Sequence, residues 1–373
     1  MKNLVTCIVI LISAQLTDEF SPATIIKNTI SPAGNIFIIT LDGFRWQEVF
    51  TGADSALISD EEYTPDAATM KMLYWSPDAE GRRKKLLPFF WNIIGTRGQL
   101  YGNRHYDNKV NTYNFYSISY PGYNEIFTGN TDVTVSSNNK NPNPNMNVLE
   151  YLNTKKAFSG KVAAFTSWDV FPYILNKNRG GFDLNSGYSN MDDKDNTEQT
   201  WINKVQDMTE NKAATRHDLL TFLTAKEYIR INQPRVVFIG LGETDVAAHD
   251  ARYDLYLEKA AEADRMIAQL WHLVQTTPGY KDNTTFIITT DHGRGKKTGS
   301  WTDHGMFIKG SSQTWLAVIG PTIKPGGEIK EDQQFYQKQL AQTIATLLGE
   351  KFVSQQSVAA SIPLAVESLS ELR

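Results

Sequence analysis

The sequence predicts an α/β fold, a mainly parallel central sheet with helices on both faces. Three observations carry that expectation: short β-branched runs recur along the chain, helical apolar periodicity separates them, and several of the runs stop abruptly at an aspartate. Near-continuous apolar runs suit strands buried on both faces, and strands that alternate with helices suit parallel crossover units.

The first run is NIFIITLD from Asn35, and KVAAFTSWD from Lys161, RVVFIGLGETD from Arg235 and TTFIITTDHG from Thr284 repeat its character. TWLAVIGP from Thr314 adds a fifth. Between the third and fourth runs, Tyr256, Ala260, Ala263, Ile267, Leu270 and Val274 alternate spacings of four and three within Tyr253 to Thr276. That stripe is one helix face laid on a sheet. Further helices are expected from Thr215 to Ile231 and from Asp332 to Leu348. Thr51 to Leu87 is mixed and charged, and Asn130 to Asn147 is rich in Asn and Pro. Neither has a clear period, and long irregular stretches inside a compact domain often serve as lids or substrate-binding insertions. The expected organisation is a signal segment at 1–14, a linker at 15–34 and one domain at 35–365 with insertions near 51–87 and 130–200.

A chain of 373 residues that is 41% hydrophobic can bury a large core. Its net charge of -4 leaves no basic surplus for a phosphate backbone, which disfavours nucleic-acid binding other than as a substrate. A small anionic substrate would need a local cation such as a metal ion. Lys2, the apolar run Leu4 to Ile12, and then Ser13 and Ala14 read as a secretory signal, so the protein is expected to be exported, periplasmic or secreted. No stretch reaches the roughly 20 apolar residues of a membrane helix. Cys7, the single cysteine, would leave with the signal, and the mature chain would lack disulfide and thiolate chemistry. Lipidation of Cys7 as an anchor is the alternative, although Cys7 sits inside the apolar run rather than after it.

Asp42, Asp245 and the Asp291-His292 pair all stand where a strand pattern stops, and ligands of open α/β sheets bind beyond the carboxyl ends of strands. Asp245 and His249 share one face if their segment is helical, an arrangement suited to zinc or a similar ion. A surface ion pair or a helix cap would also explain them. Asp291-His292, with Gly293 permitting a close turn, is a second candidate, its alternative being an Asp-stabilised turn. In the following Asp303-His304, His304 is the expected ligand and Asp303 either its orienter or a turn residue. Arg294, Lys296 and Lys297 between the two pairs read as a solvated basic loop, with substrate contact as the alternative. The six candidates Asp42, Asp245, His249, Asp291, His292 and His304 suffice for two ions. Half of them are histidines, which favours Zn2+ over Mn2+ or Mg2+. Ser119, just before Pro121-Gly122 at an apparent helix start, offers a hydroxyl where the helix dipole and free amides favour an anion, or else an ordinary N-cap.

In their order along the chain these residues resemble the alkaline phosphatase superfamily, in particular type I phosphodiesterase/nucleotide pyrophosphatases and phosphate-irrepressible alkaline phosphatases. The resemblance covers most of the chain and rests on TLDGFR with Asp42, SYPGYNEIFTG with Ser119, ETDVAAH with Asp245 and His249, TTDHG with Asp291 and His292, and the second DHG with His304. It implies one ion held by Asp42, Asp291, His292 and Ser119, and another by Asp245, His249 and His304. It also implies hydrolysis of a small phosphate ester through a phosphoseryl intermediate on Ser119. Sulfatases of the superfamily carry an Arg four positions after the modified residue. Tyr123 stands there, which disfavours that activity. The Lys-x-Arg pair that monoesterases use for the extra phosphate charge is replaced by SWDVFPYILN. A phosphodiesterase is therefore expected, with a phosphomonoesterase as the alternative. Trp168 is a candidate substrate contact or core residue, and Asn138 or Asn139 a candidate phosphate amide. A metal-dependent phosphomutase and a non-catalytic metal-binding protein complete the alternatives, and the oligomeric state is left open.

Overall fold

The structure, a computed structural model, describes residues 34–192 and 197–366. The expected signal segment, and the expected linker up to residue 33, lie outside them. Among the described residues eleven strands form: β1 (Asn35–Leu41), β2 (Gln99–Tyr101), β3 (Asn108–Asn111), β4 (Val162–Thr166), β5 (Asp183–Ser186), β6 (Val236–Leu241), β7 (Thr284–Thr289), β8 (Gln313–Thr314), β9 (Leu316–Ile319), β10 (Gly327–Glu328) and β11 (Gln333–Tyr336). Eight of them make the main sheet in the order β10-β2-β9-β7-β1-β6-β4-β5. The run β7-β1-β6-β4-β5 is parallel, whereas β9 is antiparallel to both β7 and β2.

The pleat of β1 sorts its side chains between two cores. Phe37, Ile39 and Leu41 join one, which the Tyr253–Thr276 helix covers. All six predicted stripe residues of that helix are buried. Fully burying an aliphatic side chain such as Ile267 or Leu270 stabilises by about 1.5–3 kcal/mol, so the stripe fixes the helix on the sheet. Ile36 and Ile38 join the opposite core, where Tyr123, Ile126 and Phe127 of the Ser119–Thr128 helix pack with Ile344 and Leu347 of the Leu340–Leu347 helix.

Three expectations change. The helix foreseen from Asp332 begins only at Leu340, because Gln333–Tyr336 pairs in parallel with β3 in a second sheet, β11-β3-β8, and buries Phe335. A long-range partner overrides local propensity there. Thr51 to Leu87 is not an open loop: it carries helices Ala67–Tyr74 and Ala79–Leu86, and buries Leu57, Ile58, Met70 and Leu86 in the core beside the long helix. The expected insertion near 130–200 contains β4 and β5 of the main sheet. The helix expected from Thr215 runs Asp218–Asn232. Asn130 to Asn147 is loop, as expected.

Candidate functional site

The site follows from register. Leu41 pairs with Leu241, and Thr40 with Thr289. These strands therefore end level, and the residues after them emerge side by side: Asp42 after β1, Gly242 and the Glu243–His249 helix after β6, and Asp291-His292 after β7. Helical spacing brings His249 Nε2 to 3.4 Å from Asp245 Oδ2. Ser119 is the first residue of its helix, after the extended Ile118, so it does not act as the N-cap.

Two clusters result, Asp42 with Asp291 and His292, and Asp245 with His249 and His304. In the first, His292 Nε2 lies 3.4 Å from Asp42 Oδ1 and 3.4 Å from Asp291 Oδ2. Ser119 Oγ lies 3.2 Å from the same nitrogen and 3.5 Å from Asp42 Oδ1. In the second, the Nε2 atoms of His249 and His304 stand 3.0 Å apart. Each buried imidazole is oriented through its other nitrogen, His292 Nδ1 by the Gly293 carbonyl and His304 Nδ1 by the Ser117 carbonyl. Asp303 is exposed and takes the turn role rather than orienting His304.

The donor set fits divalent ions. Burial, then the Asp291 and Asp245 charges, pushes the Asp42 carboxyl well above the carboxylate range. Burial raises Asp291 to about 7. Burial also lowers His304 to about 4 and holds His292 well below its usual value, which leaves both imidazoles neutral and able to coordinate. Asp291 Oδ2 is buried with no hydrogen-bond partner. Crowded carboxylates, neutral imidazoles and an orphaned acceptor are together a demand for positive charge.

Asp245 departs from this pattern, because burial pushes it up but the Arg294 guanidinium holds it far below the ordinary value. Arg294 is buried and bonded to Asp245, which overturns the solvated-loop expectation. Lys296 and Lys297 are exposed. A cavity of about 110 Å³ opens on Ser119 and both clusters and reaches Asn138, Trp168 and Thr215. Asn138 Oδ1 accepts from the Tyr120 N–H at 3.0 Å, which brings that side chain to the helix start. Asn139 faces a separate pocket. Trp168 is half-buried, its ring edge-on to Phe171.

Sequence reasoning missed two supporting residues. The Tyr123 hydroxyl donates to Asp42 Oδ2 at 3.2 Å, and its place four residues after Ser119 on the same helix was the available signal. Glu125 is buried and accepts from the Tyr113 and Asn114 amides, fixing the loop that leads to Ser119. A local sequence gives no sign of that.

The fold and the family match place the chain among the hydrolytic enzymes of the alkaline phosphatase superfamily, a metal-dependent group. Within it, the chain belongs to the type I phosphodiesterase / nucleotide pyrophosphatase family, which matches residues 98–313, more than half of its length. Solved structures share the fold. The chain is similar to the lipoteichoic acid synthase LtaP from Listeria monocytogenes at TM-score 0.57 and 12% identity, covering 88% of this chain and 75% of that one. It is similar to wild-type alkaline phosphatase PafA at 0.55 and 13%, covering 89% and 98%. The phosphonate monoester hydrolase of Agrobacterium radiobacter gives 0.54 and 13%, covering 88% and 76%. No curated protein matches the sequence. Among the described residues, no helix is long and apolar enough to cross a membrane.

Proposed function

We propose that this protein is an exported two-metal phosphodiesterase that acts on small organic phosphate esters through a covalent intermediate on Ser119. The observation that carries the diester preference is the cavity wall. Carboxylates, imidazoles, Asn138, Trp168 and Thr215 line it, and among the described residues no lysine or arginine does. A dianionic monoester would find no guanidinium fork there, whereas a diester carries one charge fewer and brings an organic group for Trp168 to meet. The Lys2 to Ala14 segment supports export.

Asp42, Asp291 and His292 would hold one Zn2+ with Ser119, and Asp245, His249 and His304 the other. Bound there, the two ions would supply positive charge that favours loss of the Ser119 hydroxyl proton and offsets the negative charge of the transferring group. Ser119 Oγ attacks phosphorus as the bond to the leaving alcohol breaks, and water then cleaves the Ser119–phosphorus ester and restores the hydroxyl. Tyr123 holds Asp42 in place, and Asn138, bound through Oδ1 to the helix start and lining the cavity, would offer its amide nitrogen to the phosphate. A sulfatase reading gains no support, since Tyr123 is buried and bonded to Asp42.

Acid-quenched zinc-loaded protein, taken during turnover of an aryl phosphodiester and digested for mass spectrometry, is expected to carry the phosphoryl ester on Ser119. Chelation is expected to abolish both turnover and adduct. Full turnover after chelation, or an adduct on another residue, would refute the proposal.

A further inference from the structure

Two residues beyond His292, the chain sends a buried arginine back across the site. The Arg294 guanidinium bonds to Asp245 Oδ1, to the Asp245 carbonyl at 3.2 Å, and to the Thr302 carbonyl. These contacts join three ligand-bearing segments. Arg294 belongs to the turn that carries Asp291 and His292, Asp245 sits on the helix that carries His249, and Thr302 precedes His304 by two residues.

Room for the guanidinium comes from Gly43. A Cβ at that position would stand 2.8 Å from Asp245 Oδ1 and 2.9 Å from Arg294 Nε, and Gly43 adopts φ +58. The Gly43 N–H donates to Asp291 Oδ1 at 3.1 Å, so one glycine braces the first cluster and vacates space for the brace of the second. Arg294 does not line the substrate cavity. Its charge faces a protein carboxylate and leaves the incoming phosphate to the ions.

We propose that Arg294 is a positioning residue for the Asp245, His249 and His304 ion. It occupies Asp245 Oδ1, leaves Oδ2 beside His249 for the metal, and clamps the Glu243–His249 helix to the His304 segment before any ion arrives. The inference rests on the two-ion reading and adds a site-selective consequence. A fork that bonds both carboxylate and backbone carbonyl cannot be replaced by a point charge. Partners that orient metal ligands are each worth about 10–100-fold in metal affinity.

The test is zinc binding, read by competition with a chromophoric chelator and by zinc per chain after dialysis, for the whole protein and its R294M, R294K and D245N variants. Wild type is expected to hold two zinc ions. R294M is expected to keep one at unchanged affinity and hold the other about 10–100-fold more weakly. R294K, which keeps the charge and loses the fork, is expected to weaken the same ion and no other, and it carries the test if the apolar variant does not fold. D245N marks which ion is affected. Unchanged binding of both ions in R294M or R294K, or equal weakening of both, would overturn the positioning role while leaving the two-ion reading standing. A wild-type chain that binds no zinc would overturn the reading and the inference together.

Discussion

Replacing Asp291 by asparagine separates what the site does for stability from what it does for chemistry. The Asp291 carboxyl is fully buried, its Oδ2 has no hydrogen-bond partner, and burial raises it from 3.8 to about 7. At ~1.4 kcal/mol per pH unit, the ionised carboxylate costs the metal-free fold up to about 4 kcal/mol at pH 8. The sign is fixed by the raised value. The folded state holds this proton more tightly than the unfolded chain, so the contribution is fully present below about pH 4 and is lost as the pH climbs through about 7. Asparagine is isosteric, can keep the Gly43 N–H bond at Oδ1, and removes one of the charges that raise Asp42. Thermal unfolding of metal-stripped protein is expected to show Asp291→Asn more stable than wild type at pH 8, with the gap closing toward pH 4. In zinc at about a hundred times Kd the gap at pH 8 is expected to narrow by about 2.7 kcal/mol, the binding free energy of the one ion that wild type holds and the variant loses. A metal-free variant that is less stable than wild type at pH 8 would refute the picture of carboxylates held together at a cost that cations relieve.

Three other substitutions probe the supports. Gly43→Ala forces an L-residue into a left-handed conformation, at about 1–2 kcal/mol, and drives a methyl against Asp245 and Arg294. It is expected to lower both zinc content and turnover, measured by metal analysis and steady-state kinetics. Glu125→Gln places a donor among the Tyr113, Asn114 and Lys338 amides. The loss of charge-assisted bonds is expected to lower stability by about 2–4 kcal/mol and kcat with it, with zinc still bound. Trp168→Ala is expected to raise KM for an aryl diester while kcat changes little, the signature of lost binding common to ground and transition states.

How much was legible in the sequence differs by element. The parallel strands β1, β4, β6 and β7 announced themselves because strands buried on both faces are nearly continuous apolar runs, and their ends placed Asp42, Asp245 and Asp291 without a structure. The i, i+4 spacing of Asp245 and His249 carried over because the segment is a helix. β11 was not legible, since Gln333–Tyr336 is a strand only by pairing with β3 far away in the chain. Arg294 was misread because Lys296 and Lys297, its exposed neighbours, made the loop look solvated. Its burial depends on the missing side chain of Gly43, which no local pattern reveals. Asn138 and Asn139 could not be separated either, because a loop lacks the period that tells one face from the other. In the structure only Asn138 reaches the cavity.

The proposed chemistry is phosphodiester cleavage through Ser119. The most direct measurement compares hydrolysis of a nitrophenyl phosphate monoester, the corresponding diester and the sulfate ester by zinc-loaded wild type and Ser119→Ala. The diester is expected to be preferred, and its turnover is expected to be lost in the variant. A preference for the monoester or the sulfate, or diester turnover that survives without the Ser119 hydroxyl, would contradict it.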